Sequence, residues 1–155
     1  MLVDFDILPA ESRIWVYASS HKLGITEEEY ILKYISNHLH SWSAHGSPLR
    51  SSVKILDHYF IVVALDEAFN DASGCSIDTL QNNIQKIEKA LSISLMNRLN
   101  IYCLINDVIA CIPISNLGRN IAPETLFYDL TIKKKGDLSN WLKPIKEGWC
   151  NNLLG

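Results

Sequence analysis

An α+β fold is predicted by three observations. Short runs rich in β-branched and aromatic residues, at 13–19, 52–56, 59–66, 101–105 and 108–112, read as strands. Two stretches, 30–42 and 77–91, carry apolar residues at steps of three and four, the mark of a helix with one buried face. The resulting order is strand, helix, strand, strand, helix, strand, strand. Its first six elements are those of a ferredoxin-like α/β sandwich (βαββαβ), in which both helices cover one face of an antiparallel sheet. An additional hairpin strand and a C-terminal helical extension follow. No internal repeat or compositional break divides the chain, so a single α+β domain over 1–155 is expected.

The first strand, Arg-Ile-Trp-Val-Tyr-Ala-Ser at 13–19, follows a linker containing Pro9. Thr26 and Glu29 have the spacing of a capping box, and Tyr30, Ile31, Tyr34, Ile35, Leu39 and Trp42 then form the apolar stripe of a helix that ends near Trp42. The run 43–49 is a loop. Strands 52–56 and 59–66 are joined by a tight turn at Asp57-His58. A second helix carries Ile77, Leu80, Ile84, Ile87 and Leu91 to about Ser92, and 94–100 has room for one more helical turn. A hairpin closed by Asn106-Asp107 is stopped by Pro113. Beyond it, the weak alternation of 125–132 fits an edge strand. Asp137 is placed to cap a third helix with Leu138, Trp141 and Leu142, ended by Pro144.

Composition excludes several classes of function. With 48% apolar and 20% charged residues, 155 residues are enough to bury a core without staples. The net charge of −3 supplies no basic field for nucleic acid, and the one basic cluster, Lys133-Lys134-Lys135, reads as a solvated approach to the third helix. No apolar run reaches the ~20 residues of a membrane span, and the acidic start (Asp4, Asp6) lacks the basic region of a signal peptide. A cytoplasmic protein with no membrane partner is therefore expected. Cys75, Cys103, Cys111 and Cys150 follow no zinc or redox spacing. A hairpin folded at Asn106-Asp107 sets Cys103 opposite Ala110, which puts Cys103 and Cys111 on opposite faces and rules out a disulfide between them. His38 and His40, two apart on a helix, share no face, so they form no metal pair; one is read as partly buried and the other as solvated. No metal and no cofactor is expected.

The chain is organised around Asp71-Ala-Ser-Gly-Cys-Ser-Ile-Asp78, a turn of small residues between a buried strand and a helix. A helix start offers unpaired N–H groups and about half a positive charge. Ser76 is read as the N-cap, Asp78 as a first-turn acid, and Gly74 as the residue allowing positive φ or a close approach. Cys75 then stands where a thiol is activated. In the βαββαβ order the first helix ends, and the second begins, at one edge of the sheet. The loop holding His45 and Gly46 is therefore expected beside the turn holding Gly74 and Cys75, with Arg13 arriving at the same edge.

At these residues the chain resembles a family of small uncharacterised bacterial proteins of similar length, some of which carry the label ABC transporter ATPase. The resemblance rests on Val3-Asp4-Phe5, Arg13-Ile-Trp-Val-Tyr17, Trp42-Ser-Ala-His45-Gly46, Asp66-Glu67 and Ala72-Ser-Gly-Cys-Ser-Ile-Asp78. The transport label implies a GxxxxGK[ST] phosphate loop, and no Gly-Lys pair followed by Ser or Thr occurs here. P-loop ATP hydrolysis is rejected on that ground.

Three functions are compatible with these residues. The favoured one is a binding or interaction module with its site at the His45/Cys75 edge, taking a small molecule or a protein and working as a monomer or homodimer. The alternative is a thiol-dependent enzyme in which Cys75 is the nucleophile and His45 the base, with Asp78 or Asp66 orienting the imidazole. In an anion-binding variant, the amides after Gly74, with Ser76, Arg13, Arg50 and Gly46, would hold a carboxylate or phosphate.

Overall fold

A computed structural model describes residues 1–118 and 121–154. It is an α+β structure with two helices and several antiparallel sheets. The chain gathers into two compact units, one of Met1–Met96 with Lys133–Gly136, the other of Asn97–Ile132 with Asp137–Gly155.

In the first unit, β1 (Arg13–Ala18), β4 (Ser51–Leu56) and β5 (Phe60–Leu65) form an antiparallel sheet in the order β1-β5-β4. The turn between β4 and β5 has positive φ at Asp57 and His58, as a tight connection between two strands demands. Two helices, α1 (Ile25–His40) and α2 (Gly74–Leu91), pack on the same face of this sheet. Ile31, Ile35 and Leu39 from α1 and Leu80, Ile84 and Ile87 from α2 meet Tyr17, Ile61, Val63 and Leu65 there, which is the apolar stripe read from the sequence. The opposite face, with Ile14, Val16, Phe60, Val62 and Ala64, is buried too, which explains the unbroken apolar run of β5.

The strand order does not confirm the ferredoxin-like arrangement. Its fourth strand is absent from this sheet, because β6 (Asn100–Ile105) pairs with β7 (Val108–Pro113) and β8 (Leu126–Tyr128) instead. The outer edge of β1 is occupied by the basic segment: Ile14 N–H donates to Lys133 O (3.0 Å), and Arg13 bridges Lys134. Lys133–Lys135 is thus an edge-covering segment and not a solvated approach to a helix. Lys135 Nζ donates to the carbonyls of Phe5 and Leu8 at 2.8 and 2.7 Å, pinning the N-terminal 3-10 turn Phe5–Ile7.

Several local expectations are corrected. The cap of α1 is Gly24, whose N–H donates to the Glu27 carboxylate (2.9 Å), so the Thr26/Glu29 box does not form. That backbone bond, the largest cause, holds the Glu27 carboxyl below its ordinary range. Helix α1 ends at His40 because Ser41 N–H and Trp42 N–H close back on His38 and Leu39 carbonyls. The run read as a loop contains a hairpin, β2 (Ser43–Ala44) and β3 (Ser47–Pro48), turned at His45 and Gly46 with φ 50° and 79°. Helix α2 stops at Leu91 because Ser92 adopts the left-handed conformation, and no helical turn follows in 94–100.

The second unit is a four-stranded antiparallel sheet in the order β7-β6-β8-β9, with β9 at Leu142–Pro144. The Asn106-Asp107 hairpin sets Cys103 opposite Ala110, as its spacing demands, and all four cysteines are free. Strand β8 is internal, between β6 and β9, and not an edge strand. The third helix reduces to the 3-10 turn Lys135–Ser139, after which Trp141 and Leu142 lead into β9, so the C-terminal extension is short 3-10 turns and one strand. Asp129 is buried. Burial pushes its carboxyl up, but bonds from Thr131 Oγ1, Thr131 N–H and Lys143 outweigh this and hold it below the ordinary carboxylate range.

Gly148 is required for space and not for φ, which is −93°. A Cβ built there lies 2.1 Å from Phe127 Cζ and 2.4 Å from Cε1. Gly148→Ala is expected to destabilise the protein by about 1–3 kcal/mol through overpacking. In chemical denaturation, Phe127→Leu in the same chain should recover part of that loss; a Gly148→Ala protein as stable as wild type would contradict this packing.

Candidate functional site

The site lies at the end of the first sheet where β1 starts, β5 ends and β4 starts. The register places Arg13 and Ser51 on either side of Leu65. Three chain segments converge there: the β2–β3 hairpin, the loop 66–73 and the first turn of α2. The hydrogen bonds that join them were not visible in the sequence.

Trp42 is buried, and its Nε1–H donates to Ser76 O at 2.9 Å, tying the residue before the hairpin to the start of α2. Leu49 N–H closes the other side of the hairpin on Trp42 O. Asn70 Nδ2 donates to Pro48 O (2.8 Å), so the loop after β5 is fastened to the hairpin. Asp66 is buried and anchors that loop. Its Oδ1 accepts from Ala68 N–H, and its Oδ2 faces Arg50 NH1 at 3.5 Å. Asp66 is therefore committed to the frame and does not orient an imidazole.

The helix cap is Ser73, three residues before the position read from the sequence. Ser73 Oγ accepts from Ser76 N–H (3.1 Å), while Ser76 Oγ accepts from Ser73 N–H (2.8 Å). The sequence signal was ambiguous because Ser73 and Ser76 both precede apolar residues at helical spacing, and the reciprocal serine pair is satisfied only with Ser73 as cap. Ser76 becomes a buried first-turn residue whose N–H, hydroxyl and carbonyl all serve the frame. Gly74 is the first helical residue, and open space surrounds the position of a Cβ, so neither positive φ nor a close approach requires glycine.

The groups with chemistry are arranged otherwise. Cys75, His45, Gly46 and Asp78 are all exposed. Among the described residues, no hydrogen bond or ion pair joins the side chains of Cys75, His45 and Asp78 to one another or to any other group; the Cys75 carbonyl accepts from Thr79 Oγ1 at 2.8 Å. Arg13 lies over the Trp15 ring (4.7 Å) and 4.0 Å from Glu67, on the helix-bearing face. Arg50, directly across from Asp66, belongs to the opposite face. The two arginines do not converge on one anion. Phe69, 48% exposed, adds an aromatic side chain to this end that the sequence reading did not single out.

His38 is partly buried and His40 exposed, as their positions on α1 predict. His38 packs against Trp42 (centroids 5.9 Å), and its Nδ1 faces Asn83 Nδ2 at 3.2 Å. Because the same Asn83 nitrogen donates to Thr79 O, it is a donor toward His38 as well, which fixes Nδ1 as the acceptor and the proton on Nε2. Nε2 is buried without a partner, and desolvation lowers the pKa of the ring.

Elsewhere on this unit, an open depression is lined by Gln85, Glu88, Lys89, Ile93 and Ser94. It lies at the far end of α2, about 20 Å along the helix axis from Gly74. Glu88 there accepts from Leu95 and Met96 N–H, so its carboxylate is structural. Among the described residues no group of three His, Cys, Asp or Glu gathers to hold a metal ion. Among the described residues no helix is long and apolar enough to cross a membrane.

Two outcomes test this geometry. Trp42→Phe should cost about 1–2 kcal/mol, mostly from the hydrogen bond to Ser76 O, and Ser73→Ala about 1 kcal/mol from the lost cap; urea melts unchanged by both would contradict the frame. The folded pKa of His38 is depressed, so the unfolded chain binds the extra proton, and the stabilisation is complete above the unfolded value near 6.5 and is lost as pH falls from there through the lower folded value. Stability measured between pH 7.5 and 5 should decline less steeply in His38→Gln than in the wild type.

No protein-family model matches the chain, and neither a curated protein nor a solved structure matches it.

Proposed function

We propose that this protein is a partner-binding module whose docking surface is the end of the first unit bearing His45, Gly46, Phe69, Cys75 and Asp78. One observation carries the reading: side chains able to do chemistry stand exposed and unpartnered on a frame whose own polar groups are bonded. A nucleophile–base pair needs the thiol and imidazole within hydrogen-bond reach and a third group orienting the base. A binding surface needs instead a rigid support, an exposed aromatic anchor and polar groups free to meet a partner. Phe69, 48% exposed on the loop 66–73, is that anchor, on the same end of the unit as the hairpin turn and the first turn of α2.

Of the segments that carry the resemblance to the small bacterial proteins, those at 13–17, 42–46, 66–67 and 72–78 meet at this end, and Val3 N–H of the remaining one, 3–5, donates to Ser51 O at the start of β4; this supports one common site. We read β1-α1-β4-β5-α2 as a ferredoxin-like frame with the segment at 133–134 in place of a fourth strand. An anion site at the amides of α2 is disfavoured, because Ser76 N–H is already accepted by Ser73 Oγ; Asp78, read from the sequence as a first-turn acid, lies past the first turn because the helix starts at Gly74.

Two measurements test the proposal. Alkylation of Cys75 followed against pH should give superimposable profiles in wild type and His45→Ala; a slower, pH-shifted reaction in the variant would establish the thiol–imidazole pair of an enzyme. A photo-crosslinking residue at position 69 should yield a discrete adduct in cells, and one at exposed Glu29 on α1 should not. Equal labelling at both positions, or none at 69, would count against a docking surface here.

A further inference from the structure

The two edges of the four-stranded sheet differ in kind. Strand β9 is three residues long, with a lysine and a proline, and so is protected in the usual way against pairing. Strand β7, Val-Ile-Ala-Cys-Ile-Pro, is six residues long and carries no charge. Val108 at its start is 64% exposed. The two-residue turn makes Ile105–Val108 the closing pair that exchanges both ladder bonds, so Cys103–Ala110 and Ile101–Ile112 are the next bonded pairs. Pro113, which has no N–H to give, falls at an unbonded position, consistent with this phase. The N–H and C=O groups of Ile109 and Cys111 therefore point away from β6. Among the described residues no backbone group accepts from or donates to them.

We infer that β7 is a homodimer interface, pairing antiparallel with β7 of a second copy about a two-fold axis at Ala110. The occupant follows from the strand itself. Centred on Ala110, Ile109 of one copy stands opposite Cys111 of the other, and their outward groups satisfy one another in four hydrogen bonds. Val108 meets Ile112, a β-branched cross-strand pair. Asp107, the charged residue of the turn, stands across from Pro113, which keeps the two Asp107 side chains about 20 Å apart, beyond the ~8 Å screening length. A second copy also brings its strand already formed, where a flexible peptide would lose conformational freedom on binding. The isologous contact closes on itself and predicts dimers, not fibres. It is independent of the docking surface on the first unit.

Light scattering over a concentration series tests this with two variants. Ile109→Pro deletes an outward N–H that takes no part in the β6–β7 ladder; it should convert the dimer to monomer with an unchanged circular dichroism spectrum. Ala110→Cys, with Cys75 and Cys111 replaced by Ser, should form a disulfide-linked dimer on oxidation with diamide, because position 110 faces itself across the axis. A wild-type chain monomeric throughout the series, a dimer indifferent to Ile109→Pro, or a dimeric Ala110→Cys protein that does not cross-link would each overturn the inference.

Discussion

The hydrogen bond from Trp42 Nε1 to Ser76 O is the constraint on which the candidate site depends. It spans 34 residues of sequence and is buried, so breaking it leaves an indole N–H unsatisfied where water does not reach. Trp42 also holds the end of α1 against β1, through an edge-on contact with Trp15 at 5.8 Å, and touches His38 of the helix that precedes it. One side chain thus sets the positions of the hairpin, the first turn of α2 and the last turn of α1. The loop 66–73 is added to that assembly by Asn70 and the buried Asp66.

This division of labour explains which polar residues are buried at the site. The buried Ser76, Asp66 and Trp42, with half-buried Ser73, spend their donors and acceptors on backbone and on one another, as buried polar groups must. His45, Cys75 and Asp78 occupy turn or helix-surface positions, where side chains contribute little to the frame and are free to meet another molecule. Position 45 itself, with φ 50°, is in the left-handed region that a two-residue hairpin turn demands. The second unit follows the same rule on a smaller scale. Its buried Asp129 is held by Thr131 and Lys143, while Cys103 and Cys150 are unreactive fillers, the Cys103 thiol pushed up to about 11 chiefly by burial.

What could be read from the sequence is what periodicity controls. The stripes on α1 and α2, the runs of β4 and β5 and the Asn106-Asp107 hairpin with its Cys103–Ala110 register all follow from local spacing and turn chemistry. Convergence of the hairpin and the α2 turn on one end of the sheet followed from element order. The partner of β6 did not, because pairing depends on contacts far apart in sequence that leave no periodic trace. The two-residue strands β2 and β3 are too short to alternate, and the third helix was misread because Leu138, Trp141 and Leu142 fit helical spacing equally well as a 3-10 turn followed by a strand. Which serine caps α2 depended on the reciprocal bond between Ser73 and Ser76, which is satisfied only with Ser73 as cap.

The hairpin and the start of α2 share one surface because Trp42 binds them together. A nitroxide attached to Cys75 tests it directly, with Cys111 replaced by Ser and the buried Cys103 and Cys150 left in place. Paramagnetic broadening should erase the amide signals of Ser43, Ala44 and the His45-Gly46 turn along with those of the first turns of α2. Hairpin signals that keep full intensity while α2 broadens would place the two segments apart and contradict the account.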